Sequence, residues 1–174
     1  MDDFSTIKNS KILIDTNILI YYSVKRFQDN SRNVLRRLID GGNQIAISAI
    51  SGLELLRDEE DTNKRKYYLN LLNFIKNIDV SHAVLQNAHV LSQEYHKILR
   101  GKKAPLVDLI LGGTAIGRDT LLLTADKKDF CEPIWRTISH EYVFTDVGKK
   151  DEVMHNLYLK KYDSTRAVRG VWKK

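Results

Sequence analysis

The sequence predicts an α/β fold: a single-domain α/β/α sandwich around a central, mostly parallel sheet of about five strands. Short apolar runs alternate along the chain with longer stretches of helical periodicity. Strands separated by helices imply parallel βαβ units, with the sheet covered on both faces. The 174 residues, 43% of them hydrophobic, suffice to bury one core, and they contain no fixed-period repeat and no low-complexity tract.

The elements follow in order. "KILI", from Lys11, reads as the first strand, and "TNILIYYSV" as the helix after it. "DNSRNVLRRLIDGG" is an amphipathic helix closed by Gly41 and Gly42. "QIAI" is the second strand and leads into the helical "SAISGLELLR". Beyond the polar turn "DEEDTNK" come the helical "RKYYLNLLNFIKN" and a short third strand, "IDV". Ser81 is placed to cap "HAVLQNAHVLSQEYHKIL", which ends at Gly101, and Pro105 suits the first turn of "PLVDLILGGTAIGR". "TLLLTA" is the fourth strand and "EYVFTDV" the fifth.

Charge divides the chain unevenly. Residues 1–146 hold 20 basic and 19 acidic groups, whereas 147–174 hold 8 and 3, so the net +6 lies almost wholly in the tail. The expected organisation is one domain over 1–146 and a basic C-terminal extension over 147–174. That extension, with Tyr158, Tyr162, Trp172 and "STRAVRGVWKK", suits nucleic-acid contact by phosphate pairing and base stacking, and equally a solvated end. A single cysteine, Cys131, forms no internal disulfide and builds no thiolate metal site. The opening "MDDFSTIKNS" lacks secretory character, and no uncharged apolar run reaches the roughly 18–20 residues of a membrane span. A cytoplasmic location with no membrane partner is expected.

Four apolar stretches each carry one acid: Asp15 between Lys11 and Lys25, Glu54 between Gln44 and Leu56, Asp108 between Ala104 and Gly117, and Asp126 after "TLLLTA". Taken singly, Asp15 and Asp126 fit helix N-caps, Glu54 a rim charge and Asp108 a first-turn acid. Capping explains the joint pattern less well. Glu54 follows Ile50 by four and Leu53 by one, and Asp108 has Leu111, Gly112 and Ala115 at i+3, i+4 and i+7, so both are expected beside apolar stripes. A buried, ionised carboxylate must neutralise, pair or meet a cation, and these stretches supply no basic residue. In parallel sheets sites gather beyond the carboxyl ends of the strands, where four converging acids would hold a cation. Oxygen ligands alone favour Mg²⁺ or Mn²⁺ over zinc, and such ions serve in-line phosphoryl transfer.

"ILIDTNILI", "ISAISGLELL", "APLVDLILGGTAI" and "LLLTADKKDF" together resemble, in order, the four signature segments of PIN-domain ribonucleases, over roughly residues 11–145. Within that family the chain looks most like VapC-type toxins. The resemblance implies a PIN-like fold and a Mg²⁺- or Mn²⁺-dependent endoribonuclease that leaves 5′-phosphate and 3′-hydroxyl ends. It further implies a homodimer with an RNA substrate and a cognate antitoxin as partners. By position, Asp15, Glu54 and Asp108 match the family's metal-binding acids and Asp126 the more variable fourth. Thr16, Asn17, Thr124 and Asp129 are then candidates for supporting roles around the ion or its water. Arg100, Lys102 and Lys103 in "RGKK", with Arg166 and Arg169 of the tail, are candidate RNA contacts. The segment from about Val147 departs from the compact toxin pattern.

Other features read more plainly. His82, His89 and His96 recur every seven residues, about 10 Å apart along a helix, too far for paired ligands; they suit a polar edge. Gly112 and Gly113 suit close packing against a neighbouring element or a dimer mate. Two rival functions stay open: a phosphohydrolase or phospho-accepting domain with Asp15 as nucleophile, although Asn17 stands where its second acid belongs, and a PIN-like scaffold that binds RNA without cutting.

Overall fold

Alternation of side chains across the strands decides the architecture. In β1 (Lys11–Ile14) Ile12 and Ile14 join one core while Leu13 joins the other, and all three are buried. A strand apolar on both faces needs helices on both sides. The computed structural model, which describes residues 4–23, 28–57, 59–101, 103–145 and 153–165, supplies them. After a 3₁₀ turn at Phe4–Thr6 and β1 come α1 (Thr16–Ser23), α2 (Gln28–Asp40), β2 (Gln44–Ser48), α3 (Ala49–Arg57), α4 (Thr62–Phe74) and β3 (Lys76–Ile78). Then follow α5 (His82–Ile98), α6 (Leu106–Arg118), β4 (Leu121–Thr124), β5 (Trp135–Thr145) and β6 (Val153–Tyr162).

The sheet order is β3-β2-β1-β4-β6-β5. Strands β1 to β4 pair in parallel, and β6 pairs antiparallel with both β4 and β5. On one face Ile12, Ile14, Ile47, Leu123, Leu157 and Leu159 pack against Ile18 and Leu19 of α1, Val34, Leu35 and Leu38 of α2, and Tyr68 of α4. On the other, Leu13, Ala46 and Leu122 lie in a core with Ala88, Leu91 and Tyr95 of α5, Leu109, Leu111 and Ala115 of α6, and Phe130 and Ile134 from the connection after β4. Each such side chain, fully buried, stabilises the fold by roughly 1.5–3 kcal/mol relative to exposure.

The α/β sandwich and the mostly parallel sheet are as the sequence predicts; three details differ. The sheet has six strands rather than about five, because Val153–Tyr162, within the segment read as an extension, forms β6. The 146/147 boundary therefore falls between two strands of one sheet. β6 alternates inward Leu157 and Leu159 with Tyr158 and Lys160, and the ammonium of buried Lys160 is satisfied by Thr137 Oγ1 at 2.7 Å. β5 begins at Trp135, well before the predicted start at Glu141, and β3 covers Lys76–Ile78 rather than 78–80.

Caps fix the helices around the site. Ser81 Oγ accepts from Val84 N at the start of α5, as its position predicts, and Pro105 directly precedes α6. The close packing expected of Gly112 and Gly113 is against α5 and Trp135. A Cβ on Gly113 would lie 2.5 Å from the Val84 carbonyl and 2.8 Å from Ala88 N, and one on Gly112 would lie 2.5 Å from Leu91 Cδ2. Among the described residues no helix is long and apolar enough to cross a membrane.

Candidate active site

The parallel pairing of β1 with β4, Ile14 opposite Leu123, brings the next residues of both strands together at the carboxyl edge of the sheet. Asp15 N donates to the Leu123 carbonyl at 2.9 Å, which turns the chain from β1 into α1. Asp15 is 5% exposed. Its Oδ2 accepts from Thr124 Oγ1 at 2.5 Å and from Asn17 Nδ2 at 2.6 Å. Asn17 Oδ1 in turn accepts from Ala125 N at 3.1 Å, and Thr124 Oγ1 accepts from Asp126 N at 2.9 Å. Residues 15–17 and 124–126 are thereby tied into one network. Burial pushes the Asp15 carboxyl up to about 6; hydrogen bonds from Thr124, the Thr16 backbone and Asn17 work against that shift, and the charge of Glu54 adds to it.

Asp108 stands in the first turn of α6, partly buried, and the residues expected behind it, Leu111, Gly112 and Ala115, are all buried. Its carboxyl is pushed up to about 7, by burial first and then by the charges of Asp15, Asp129, Asp126 and Glu54. All four predicted acids, and Asp129 with them, thus act on one place in the fold. Glu54 is partly buried on α3, but the stripe drawn through Leu53 is corrected: Leu53 is 63% exposed, and the buried face is Ser51, Gly52 and Leu55. Asp126 combines two readings. Its Oδ1 accepts from Lys128 N at 2.7 Å and Asp129 N at 2.8 Å, which caps the turn after β4, while its charge reaches Asp108 less strongly than that of Asp129.

Small hydroxyls in the same elements escape sequence reasoning. Thr114 Oγ1 donates to the Ile110 carbonyl at 2.8 Å and lies 3.2 Å from Ser48 Oγ, so Ser48 is the donor in that pair. Thr16 Oγ1 and Ser51 Oγ are buried without a hydrogen-bond partner among the described residues. The only advance signal for Ser48, Ser51 and Thr114 is a lone hydroxyl in an apolar run. Arg100 and Lys103 are exposed on the connection into α6, whereas Lys102, Arg166, Arg169 and Trp172 lie outside the described residues. His89 Nε2 lies 3.0 Å from Gln93 Nε2 at the surface, in keeping with a polar edge.

The donor set fits a hard divalent cation in kind: every candidate is an oxygen, the charges prominent around Asp108 are all carboxylates, and Thr16 Oγ1, beside Asp15, has no partner among the described residues. Among the described residues no three such side chains are gathered as closely as an ion-binding cluster requires. Carboxylates that raise one another's pKa do not close up unaided.

A mostly parallel sheet with acids beyond the carboxyl ends of β1 and β4, together with acids on α3 and α6 whose charges meet there, defines an α/β protein with an acidic edge at its strand ends. The PIN domain family model matches residues 12–133, and the chain belongs to that family. No curated protein sequence matches it. Among solved structures it is similar to a chain of VapBC2 from Rickettsia felis bound to a DNA fragment from the promoter, at 26% identity and a TM-score of 0.59, covering 69% of this chain and 90% of that one. It is also similar to a chain of a toxin–antitoxin complex from Klebsiella pneumoniae, at 27% identity and a TM-score of 0.54, covering 70% and 92%. VapBC-1 from nontypeable Haemophilus influenzae, at 17% identity and a TM-score of 0.57 over 69% of this chain and 90% of that one, shares the fold. β5 and β6 lie beyond the residues that the family model matches.

Proposed function

We propose that the chain is a PIN nuclease that hydrolyses RNA phosphodiester bonds with Mg²⁺ or Mn²⁺, and that it is the toxin of a toxin–antitoxin pair. The observation that carries the reading is the set of five carboxylates whose charges meet at Asp108, a convergence that a divalent cation would relieve near neutral pH. Asp15, Glu54 and Asp108 are the residues that would hold the ion, with Asp126 or Asp129 as a fourth. When bound, a divalent ion neutralises these acids, polarises a phosphate oxygen and favours ionisation of water. Thr124 and Asn17 fix the Asp15 carboxylate in one orientation, and the turn capped by Asp126 sets the position of Asp129.

Partners follow from the same reading. Of the two structures described above at more than 25% identity, one is named VapBC2 bound to promoter DNA and the other a toxin–antitoxin complex. An antitoxin partner needs an apolar surface, and a groove of about 730 Å³ between α2 and α4, lined by Leu35, Ile39, Leu71 and Phe74 with Arg32 and Arg36 at its rim, offers one. Phe74 is 89% exposed there. A cytoplasmic homodimer completes the proposal.

The test is incubation of the purified protein with structured and single-stranded RNAs, with and without Mn²⁺, beside Asp15→Asn and Asp108→Asn. Metal-dependent cutting that both substitutions abolish is expected. Binding without cutting would favour the scaffold reading, and phosphorylation of Asp15 by a small phosphodonor would favour the rival enzyme.

A further inference from the structure

An anionic pocket repels a polyanion, so affinity for a nucleic acid must come from beside it. Next to the acids, β6 and β5 carry a row of rings and cations that the cleavage chemistry leaves unused. The register sets Thr124, Tyr158 and His140 side by side across β4, β6 and β5. With adjacent strands about 4.8 Å apart, Tyr158 is one strand from the hydroxyl that holds Asp15, and His140 about 10 Å away. The His140 and Tyr158 ring planes lie 27° apart with centroids at 6.4 Å, and Tyr142 meets His140 edge-on at 5.6 Å. Lys127 Nζ and Lys160 Nζ stand 5.8 Å and 5.3 Å from the Tyr158 ring centroid. All three rings are partly exposed and Lys127 is exposed. Helix α2 packs on the opposite face, where Val143, Leu157 and Leu159 lie.

We infer that this face of β5 and β6 is a stacking platform for single-stranded RNA, holding the bases next to the scissile phosphate while Lys127 pairs with the backbone; the inference rests on the nuclease reading above. Ring faces accept any unstacked base, which a duplex does not offer, and the exposed Lys127 matches phosphate, while buried Lys160 lends its charge from beneath Tyr158. The row starts at the strand next to Asp15 and Thr124, so a strand lying on it leads into the acids.

Binding is read by anisotropy of a fluorescein-labelled single-stranded RNA of about ten nucleotides, a length such platforms span. Every protein carries Asp15→Asn and no metal is added, so nothing is cut. Tyr158→Ala and His140→Ala are each expected to weaken binding roughly tenfold. Tyr158→Phe, which keeps the ring, should bind like its parent, and Lys127→Ala should lower the salt slope by about one. Parent-like affinity in both alanine variants overturns the platform, as does a loss in Tyr158→Phe as deep as in Tyr158→Ala, or no binding by the parent. If thermal melts show that Tyr158→Ala does not fold, Tyr142→Ala takes its place: weaker binding supports the platform, and unchanged binding rejects it. Metal-dependent cutting by the unsubstituted chain is scored separately, so the nuclease reading and the platform fail on different measurements.

Discussion

Thr124 Oγ1 donates a 2.5 Å hydrogen bond to Asp15 Oδ2 and so joins the carboxyl end of β4 to that of β1. The same oxygen accepts from Asp126 N, which makes one hydroxyl the hinge pin of the pocket. Thr124→Val keeps the branched shape and removes both roles. Stability in urea should fall by about 1–3 kcal/mol, the penalty for buried groups left unpaired. Because this bond is the largest influence lowering the Asp15 pKa, the value near 6 should rise further in a carboxyl titration by NMR. Thr124→Ser should restore both.

The acids also set a pH dependence, to which the proposed ion would add a metal dependence. Asp15 and Asp108 move from 3.8 to about 6 and about 7 on folding without an ion. Between those values the folded chain binds more protons than the unfolded one, so stability falls as pH rises from about 4 to about 7. In EDTA, the melting temperature should therefore be lower at about pH 8 than at about pH 5. Adding Mn²⁺ at the higher pH should raise it by roughly 5 °C, at about 2–4 °C per kcal/mol relieved. Asp108→Asn should lessen both effects, and a melting temperature indifferent to Mn²⁺ would argue against a shared ion.

Two glycines on α6 make opposite predictions. Gly113→Ala would press a methyl against the backbone of Val84 and Ala88, which cannot yield, and should destabilise the fold by about 1–3 kcal/mol. At Gly117 the near atom from another element, among the described residues, is Asn87 Nδ2 at 2.9 Å, the end of a side chain that can turn away. Gly117→Ala should then be neutral or stabilising by up to about 1 kcal/mol through helix propensity. Chemical denaturation of both variants decides this.

Tyr162, at the end of β6, ties that strand to α5. Its hydroxyl lies 2.8 Å and 3.0 Å from the two carboxylate oxygens of Glu94, which is 3% exposed. Burial raises the Glu94 pKa, and this hydrogen bond and Lys97 oppose the rise. In Tyr162→Phe the opposition weakens, so the ionised form becomes costlier. A loss of about 1–3 kcal/mol is expected near neutral pH. It should shrink in acid as Glu94 takes up its proton, which denaturation at about pH 4 and pH 8 would reveal.

The core of the site was legible because burial and charge conflict there. A lone Asp in "ILIDTNILI" or "APLVDLIL" contradicts its neighbours, and such contradictions mark places where something else satisfies the group. What stayed hidden obeys no such contrast. Ser48 bonds to Thr114, and Thr114 to the Ile110 carbonyl, and nothing in an apolar run announces that. β6 is hidden for a different reason: "MHNLYLKKY" alternates only around Leu157 and Leu159, and two adjacent lysines and a basic surround make it look solvated. Only the sheet shows that Lys160 is buried against Thr137 while Lys161 pairs with Asp119. Leu53 erred the other way, since a leucine on a short helix need not face the core.

Because β6 lies between β4 and β5, β5 has no neighbour in the sheet until β6 arrives. A chain growing on the ribosome can assemble β1 to β4 and gather its acids early, yet Trp135–Thr145 must wait unpaired until Tyr162 has emerged. The acids at the strand ends therefore come together before the surface beside them, and synthesis itself sets an interval in which the two are not yet joined.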